Sequence, residues 1–148
     1  MGCCSYDRQI ENDVDDLGNR SSAFNNQFTS LKIVSSGSIS ELKQFLDRGF
    51  PTKYKMPAFN GATILHLAAE KGNASMIKLL MEYGADVESF DDRGMTPIFY
   101  SIKGRNQECF RVLVKTYNAN MNVVNSYDKS VQDYLKEDPN FFNGELPH

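Results

Sequence analysis

The sequence predicts an all-α fold, a helical solenoid, because the chain repeats itself and each repeat has the pattern of two short helices. Gly61–Asn73 recurs 33 residues later as Gly94–Asn106. The apolar side chains that follow Gly37 have the same spacing as those that follow Gly72. Asn125–Ser130 matches a stretch that lies 34 residues earlier. Four units in phase indicate stacked repeats, in which each unit buries its apolar face against its neighbours.

The residues of one unit predict where each helix begins and ends. Thr63 and Thr96 precede apolar runs and are suitable N-caps, and Pro97 occupies a first helical position where its missing N–H costs nothing. A second helix is expected over about 75–83, and Gly84 is typical of a helix C-terminus. The side chains expected to face inward are Leu65, Ala68, Ala69, Ile77, Leu80 and Met81.

The repeating unit resembles the ankyrin-repeat family. Gly61–Asp86 carries the Thr-x-Leu-His-x-Ala-Ala-x-x-Gly-Asn core followed by Leu-Leu-Met-x-x-Gly-Ala-Asp. The likeness is good for Asp91–Asn122 and weaker for Phe28–Phe50 and Asn125–Glu137. The resemblance implies about three repeats plus a terminal half-repeat, and a surface that binds another protein.

The domain organisation follows from this phasing. We expect residues 1–27 to form an acidic, flexible tail and residues 28–148 to form the ankyrin-repeat domain. The units within it are about 28–57, 58–90 and 91–124, followed by a capping half-repeat at 125–148.

Three departures from the regular pattern carry expectations of their own. In the third unit, Arg105 stands where the second unit has a turn glycine. An extra residue near Tyr117 lengthens the end of the second helix of the same unit. Beyond the last helix, we expect Phe141 and Phe142 to fold back over the end of the stack. The alternative is that these two rings form a docking motif for a partner.

Composition and charge exclude several classes of function. The net charge is -3, so the basic face of a nucleic-acid binder is not expected. The sequence has no metal-ligand spacing, no phosphate-binding glycine loop and no catalytic triad pattern, which predicts no cofactor, no metal and no small-molecule substrate. His66 occupies a structural position of the repeat and Cys109 lies within a helix, so we predict no catalytic residues and no enzyme.

The N-terminus resembles that of myristoylated and palmitoylated proteins. Gly2 follows the initiator methionine, and Cys3 and Cys4 come next. One myristoyl chain gives only reversible membrane binding, and the acidic tail supplies no polybasic second signal. Acylation of Gly2 together with Cys3 or Cys4, or both, is therefore the predicted anchor, and the alternative is an unmodified tail. No apolar run approaches 18 residues and no signal peptide is expected.

The resemblance also implies which side chains face a partner, since motif positions hold the fold and variable positions bind. We predict a cytoplasmic adaptor or inhibitor that another protein contacts, held at the cytoplasmic face of a membrane by the lipid anchor. The alternative is a structural subunit of a cytoskeletal or ciliary assembly without an anchor. The predicted partner-binding residues are Phe59, Asn60, Leu67, Glu70, Lys71, Asp92, Arg93, Met95, Tyr100, Lys103 and Tyr127.

Overall fold

A computed structural model describes residues 26–142, and these form a stack of paired helices. The described residues contain seven α-helices and no strand longer than an isolated bridge. The all-α helical-repeat prediction is confirmed. The helices are α1 (26–36), α2 (Ile39–Asp47), α3 (Ile64–Lys71), α4 (Ala74–Glu82), α5 (Pro97–Lys103), α6 (Gln107–Arg111) and α7 (Val131–Glu137), with a 3₁₀ turn at Pro57–Phe59 and a π-helical turn at Val112–Thr116.

Helix starts follow the capping residues that the sequence carries. Thr63 and Thr96 are the N-caps of α3 and α5, and Pro97 opens α5 as predicted. Asn73 caps α4 by accepting the Met76 N–H through its side chain at 3.2 Å. The Asn73 cap thereby satisfies a backbone donor that the first turn of α4 leaves without a partner.

The core lies where successive helix pairs face each other. The inner helices α3 and α5 pack side by side, and Ala68 and Ala69 are fully buried between the repeats. Small side chains at these positions let the helices approach closely. Ile77 and Leu80 of α4 are also fully buried.

Two aromatic rings cover the C-terminal end of the stack. Phe141 and Phe142 are 4% and 5% exposed, and their ring centroids lie 5.5 and 5.1 Å from that of Phe110 in edge-on geometry. The Gln107 side-chain amide donates to the Phe141 carbonyl and fixes the returning chain. The prediction that these rings fold back over the stack is confirmed, because they bury the second helix of the third unit.

The extra residue of the third unit is absorbed in the π-helical turn. In the second unit the Ala85 N–H donates to the Leu80 carbonyl, whereas in the third the Ala119 N–H reaches the Leu113 carbonyl, one residue further back. Such a turn is how an α-helix accommodates a single inserted residue. The insertion therefore leaves the rest of the stack in register.

Arg105 takes the left-handed conformation that the sequence pattern assigns to a glycine. Its φ is 57°, against 82° for Gly72 at the equivalent turn. A side chain is tolerated there because it points outward, where the guanidinium lies 3.1 Å from the Asp138 carboxylate. Next to it, the Asn106 amide donates to the Ala69 and Glu70 carbonyls of the preceding repeat. This turn thus links one unit to the next.

Within residues 26–142, no helix combines the length and the apolar character that crossing a bilayer requires.

Candidate interaction surface

Two of the loops between repeats are held in shape by a buried side-chain acceptor at the start of the turn. Asp91 is 4% exposed, and its Oδ1 accepts the backbone N–H groups of Arg93 and Met95 at 2.9 and 2.8 Å. Its Oδ2 accepts the Tyr100 hydroxyl at 2.8 Å. One carboxylate therefore fixes both the loop and the first helix that follows it.

The next loop repeats this arrangement with an amide in place of the carboxylate. Asn125 Oδ1 accepts the N–H groups of Tyr127 and Lys129 at 2.9 and 3.2 Å, and its Nδ2 donates to the Tyr134 hydroxyl at 3.1 Å. The corresponding position of the first loop is Ala58, whose side chain has no hydrogen-bond acceptor. There the Gln27 side chain of α1 accepts the Ala58 N–H at 3.2 Å.

Backbone hydrogen bonds join the three loops into one continuous edge. The Asp92 N–H donates to the Asn60 carbonyl at 2.7 Å, and the Ser126 N–H donates to the Arg93 carbonyl at 2.9 Å. Asn60 and Arg93 thus occupy equivalent places one repeat apart, with Tyr127 third in the row. The loops present these side chains at a fixed spacing.

His66 has a structural role, because its ring hydrogen-bonds to the backbone on both sides. Its Nδ1 accepts the Thr63 N–H at 3.0 Å, and its Nε2 lies 2.9 Å from the Met95 carbonyl, so Nε2 carries the proton. The ring is fully buried, and burial lowers the pKa of His66 to about 4, partly opposed by the bond to Met95. Both nitrogens are engaged in holding backbone.

Three of the predicted partner-binding residues lie in the core, so the prediction that they face a partner was wrong. Leu67, Met95 and Tyr100 are 5%, 9% and 3% exposed. Tyr100 points inward because its hydroxyl binds Asp91 and its ring packs edge-on against His66, with centroids 4.9 Å apart. Burial, followed by that hydrogen bond, raises the pKa of Tyr100 to about 12. A partner cannot contact these side chains without opening the stack.

The other predicted residues remain at the surface. Glu70 and Lys103 lie 3.6 Å apart across neighbouring repeats, and Lys103 also lies 5.6 Å from the Tyr100 ring centre. Phe59, Glu70 and Arg93 are half-buried. We define the loop surface as the exposed members of the predicted set, which are Asn60, Lys71, Asp92, Lys103 and Tyr127.

Within residues 26–142, the remaining candidate side chains do not assemble into a reactive site. Cys109 is fully buried, and burial raises the pKa of its thiol to about 11, which keeps it protonated and unreactive at neutral pH. Among the described residues, no group of three His, Cys, Asp or Glu side chains is placed to hold a metal ion. Gly2, Cys3 and Cys4 lie outside the described residues.

Sequence reasoning missed the part that Asp91 plays in shaping its loop. The signal was present, since Asp91 stands two residues before Arg93, which is the spacing of an Asx turn. Asp91 was not among the predicted site residues, although its neighbour Asp92 was. Only the second of these two carboxylates is exposed.

Several curated proteins are similar to this chain over the repeats. Protein phosphatase 1 regulatory subunit 12A of Mus musculus is 32% identical over 100 residues, covering 68% of this chain and 10% of that protein. ARF GTPase-activating protein Git of Drosophila melanogaster is 40% identical over 88 residues, covering 57% and 12%. Protein phosphatase 1 regulatory subunit 27 of Mus musculus is 29% identical over 98 residues, covering 66% and 63%. The chain thus spans about a tenth of the length of the first two.

A family model agrees with the geometry of the stack. The model described as "Ankyrin repeats (3 copies)" matches residues 31–125, well over half of the chain. The same residues include the paired helices α2 to α6 and the loops joined by backbone hydrogen bonds. The repeats and the regulatory relatives support a protein-interaction module. The chain belongs to the ankyrin-repeat family.

Proposed function

We propose that this chain is a non-enzymatic adaptor or inhibitor that recognises another protein through the loop surface. The observation that carries the proposal is the edge of three loops, which backbone hydrogen bonds between Asn60 and Asp92 and between Arg93 and Ser126 hold at fixed spacing. A rigid surface loses little conformational entropy on binding, so its contacts contribute more fully to affinity.

The side chains of the loop surface suit recognition of a protein. Tyr127 is 59% exposed and stands at the end of the row of loop tips. Asp92 lies in the neighbouring loop, and Lys103 and Lys71 lie on the inner-helix side. A surface that contains an exposed tyrosine and side chains of both charges has the composition of a binding hot spot with a polar rim.

The relatives support a regulatory role. Two of those described above are named as regulatory subunits of a phosphatase, and a third as a GTPase-activating protein. Because the chain spans only a small part of two of them, the likeness concerns the repeats. The catalytic subunit of protein phosphatase 1 is accordingly the first candidate partner to test. An unbiased capture of binding proteins by the tagged chain should be run beside it.

Tyr127→Ala should weaken partner binding about tenfold, since truncating a hot-spot aromatic typically costs 1 kcal/mol or more, roughly 2 at a strong anchor. The first measurement is how much of each partner the tagged full-length chain recovers in a pull-down. The second is the affinity, obtained by titrating each recovered partner against the chain. Tyr83→Ala serves as the matched control, because Tyr83 is 36% exposed at the end of α4 and lies outside the loop surface. Equal recovery by both variants would contradict the assignment of the surface.

We propose in addition that N-terminal acylation tethers the protein to the cytoplasmic face of a membrane. The support is the sequence Met1-Gly2-Cys3-Cys4. A myristoyl chain on Gly2 would give reversible binding, and thioester-linked chains on the cysteines would make it stable.

Gly2→Ala should abolish incorporation of a myristate label and release the protein from the membrane fraction. Cys3→Ser with Cys4→Ser should retain the myristate label but lose a palmitate label that hydroxylamine removes. Both measurements use full-length protein expressed in a eukaryotic cell. A wild-type protein that takes up neither label would reject the tether and favour the structural-subunit alternative.

A further inference from the structure

An apolar groove lies at the N-terminal end of the stack, between α1 and the 3₁₀ turn Pro57–Phe59. Its volume is about 350 Å³. The Gln27 side chain bridges the two walls by accepting the Ala58 N–H at 3.2 Å, so the groove is a feature of the folded domain. The lining residues are Gln27, Phe28, Leu31, Pro57, Ala58 and Phe59.

Two exposed lysines lie close to the groove in the sequence but do not line it. Lys32 lines a second pocket, which α1 forms with α2 and which also contains Glu41, and Lys55 precedes Pro57 by two residues. Among the described residues, none that lines the groove is charged. Any preference for a negatively charged occupant therefore comes from the first unit as a whole and not from the lining.

The net charge of the chain differs between its segments. The first unit, residues 28–57, has five basic and two acidic side chains, a net of +3. Residues 58–148 have nine basic and twelve acidic side chains, a net of -3. Residues 1–27 have two basic and five acidic side chains, also a net of -3. The basic unit is thus the one that directly follows the acidic tail.

The tail combines apolar side chains that suit the groove with a net charge opposite to that of the first unit. Ile10, Val14 and Leu17 recur at helical spacing among the acidic side chains, which gives one apolar face beside several carboxylates. The tail enters the domain at α1, whose residues form one wall of the groove. Eight residues separate Leu17 from Asn26, which is enough chain to turn back across that wall.

We propose that the acidic segment 7–20 of this chain docks into its own groove, with the apolar face of the segment against Phe28, Leu31 and Phe59. Because a short tether gives an effective concentration on the order of millimolar, docking needs only weak intrinsic affinity. The contact is intramolecular, and it depends on neither acylation nor any partner.

Docking has a consequence for the proposed loop surface. Phe59 lines the groove, and Asn60 beside it is the first residue in the row of loop tips. A segment held against Phe59 covers that end of the surface. Tail docking and partner binding would then compete, and any event that withdraws the tail would expose the full surface.

The chain contains no tryptophan, so Val14→Trp places a unique fluorophore on the tail. In non-acylated full-length protein, we expect a blue-shifted emission maximum and an acrylamide quenching constant about twofold smaller than that of a free tail peptide. Adding Ala58→Glu should remove both effects, because it places a carboxylate in the groove against an acidic segment. Adding Ala58→Lys, a matched change at the same exposed position, should preserve them.

Three results would overturn the proposal. One is an emission spectrum and quenching constant equal to those of the free peptide. Another is protection that survives Ala58→Glu, which would place the tail elsewhere. The third is protection that disappears on dilution, which would identify the occupant as the tail of a second copy. Because the assay uses no lipid and no partner, its failure leaves the proposed function to its own tests.

Discussion

Ala68→Glu should abolish the cooperative unfolding transition of the domain. Ala68 is fully buried in α3, which packs side by side with α5 of the next repeat. A glutamate there would place a charge between the helices without a partner and would also overfill the space. Such a change costs at least about 4 kcal/mol, against a typical total stability of roughly 5–15 kcal/mol.

The measurement is thermal or urea unfolding followed by circular dichroism. Ala58→Glu is the matched control, since it makes the same substitution at an exposed position and should unfold at nearly the wild-type midpoint. A wild-type transition in Ala68→Glu would mean that α3 does not pack in the register described.

Acidification should destabilise the domain before its carboxylates titrate, because His66 is held neutral by burial. Its pKa is about 4 in the folded protein, against an ordinary value of 6.5. The unfolded chain therefore binds the proton more readily, and stability falls as the pH drops through 6.5 towards 4. We expect a loss of about 2 kcal/mol between pH 7 and pH 5, and about 3 kcal/mol by pH 4.

Urea titrations at pH 7 and pH 5 measure this loss. His66→Asn removes the titrating group, so the variant should be less stable at pH 7 but nearly insensitive to pH between 7 and 5. His148 is present in both proteins and cancels in the comparison. An equal loss in wild type and variant would assign the pH dependence to another group.

The fold was predictable from the sequence because its signals are local. Thr63, Pro97 and Gly84 mark the beginning or end of a helix through their own backbone preferences. His66 could be assigned a structural role because it stands at a fixed place in the repeat. The helix boundaries needed no knowledge of the neighbouring unit, whereas the solenoid and the role of His66 were inferred from the recurrence of the unit.

The exposed surface was only partly predictable because exposure depends on that neighbouring unit. Tyr100 occupies a variable helix position, yet its hydroxyl is drawn inward by Asp91, nine residues earlier. Met95 is buried at the junction where its carbonyl meets His66 of the previous repeat. The α1 groove was missed for the same reason, since its walls come from residues about 30 positions apart.

The aromatic cover formed by Phe141 and Phe142 on Phe110 determines where this array can lengthen. A duplicated repeat placed after residue 142 would meet these rings in place of an open helix face. A repeat inserted between the second and third units would meet the same kind of face on both sides and keep the cover intact. Evolution or protein engineering can therefore extend the stack from its middle while both ends stay unchanged.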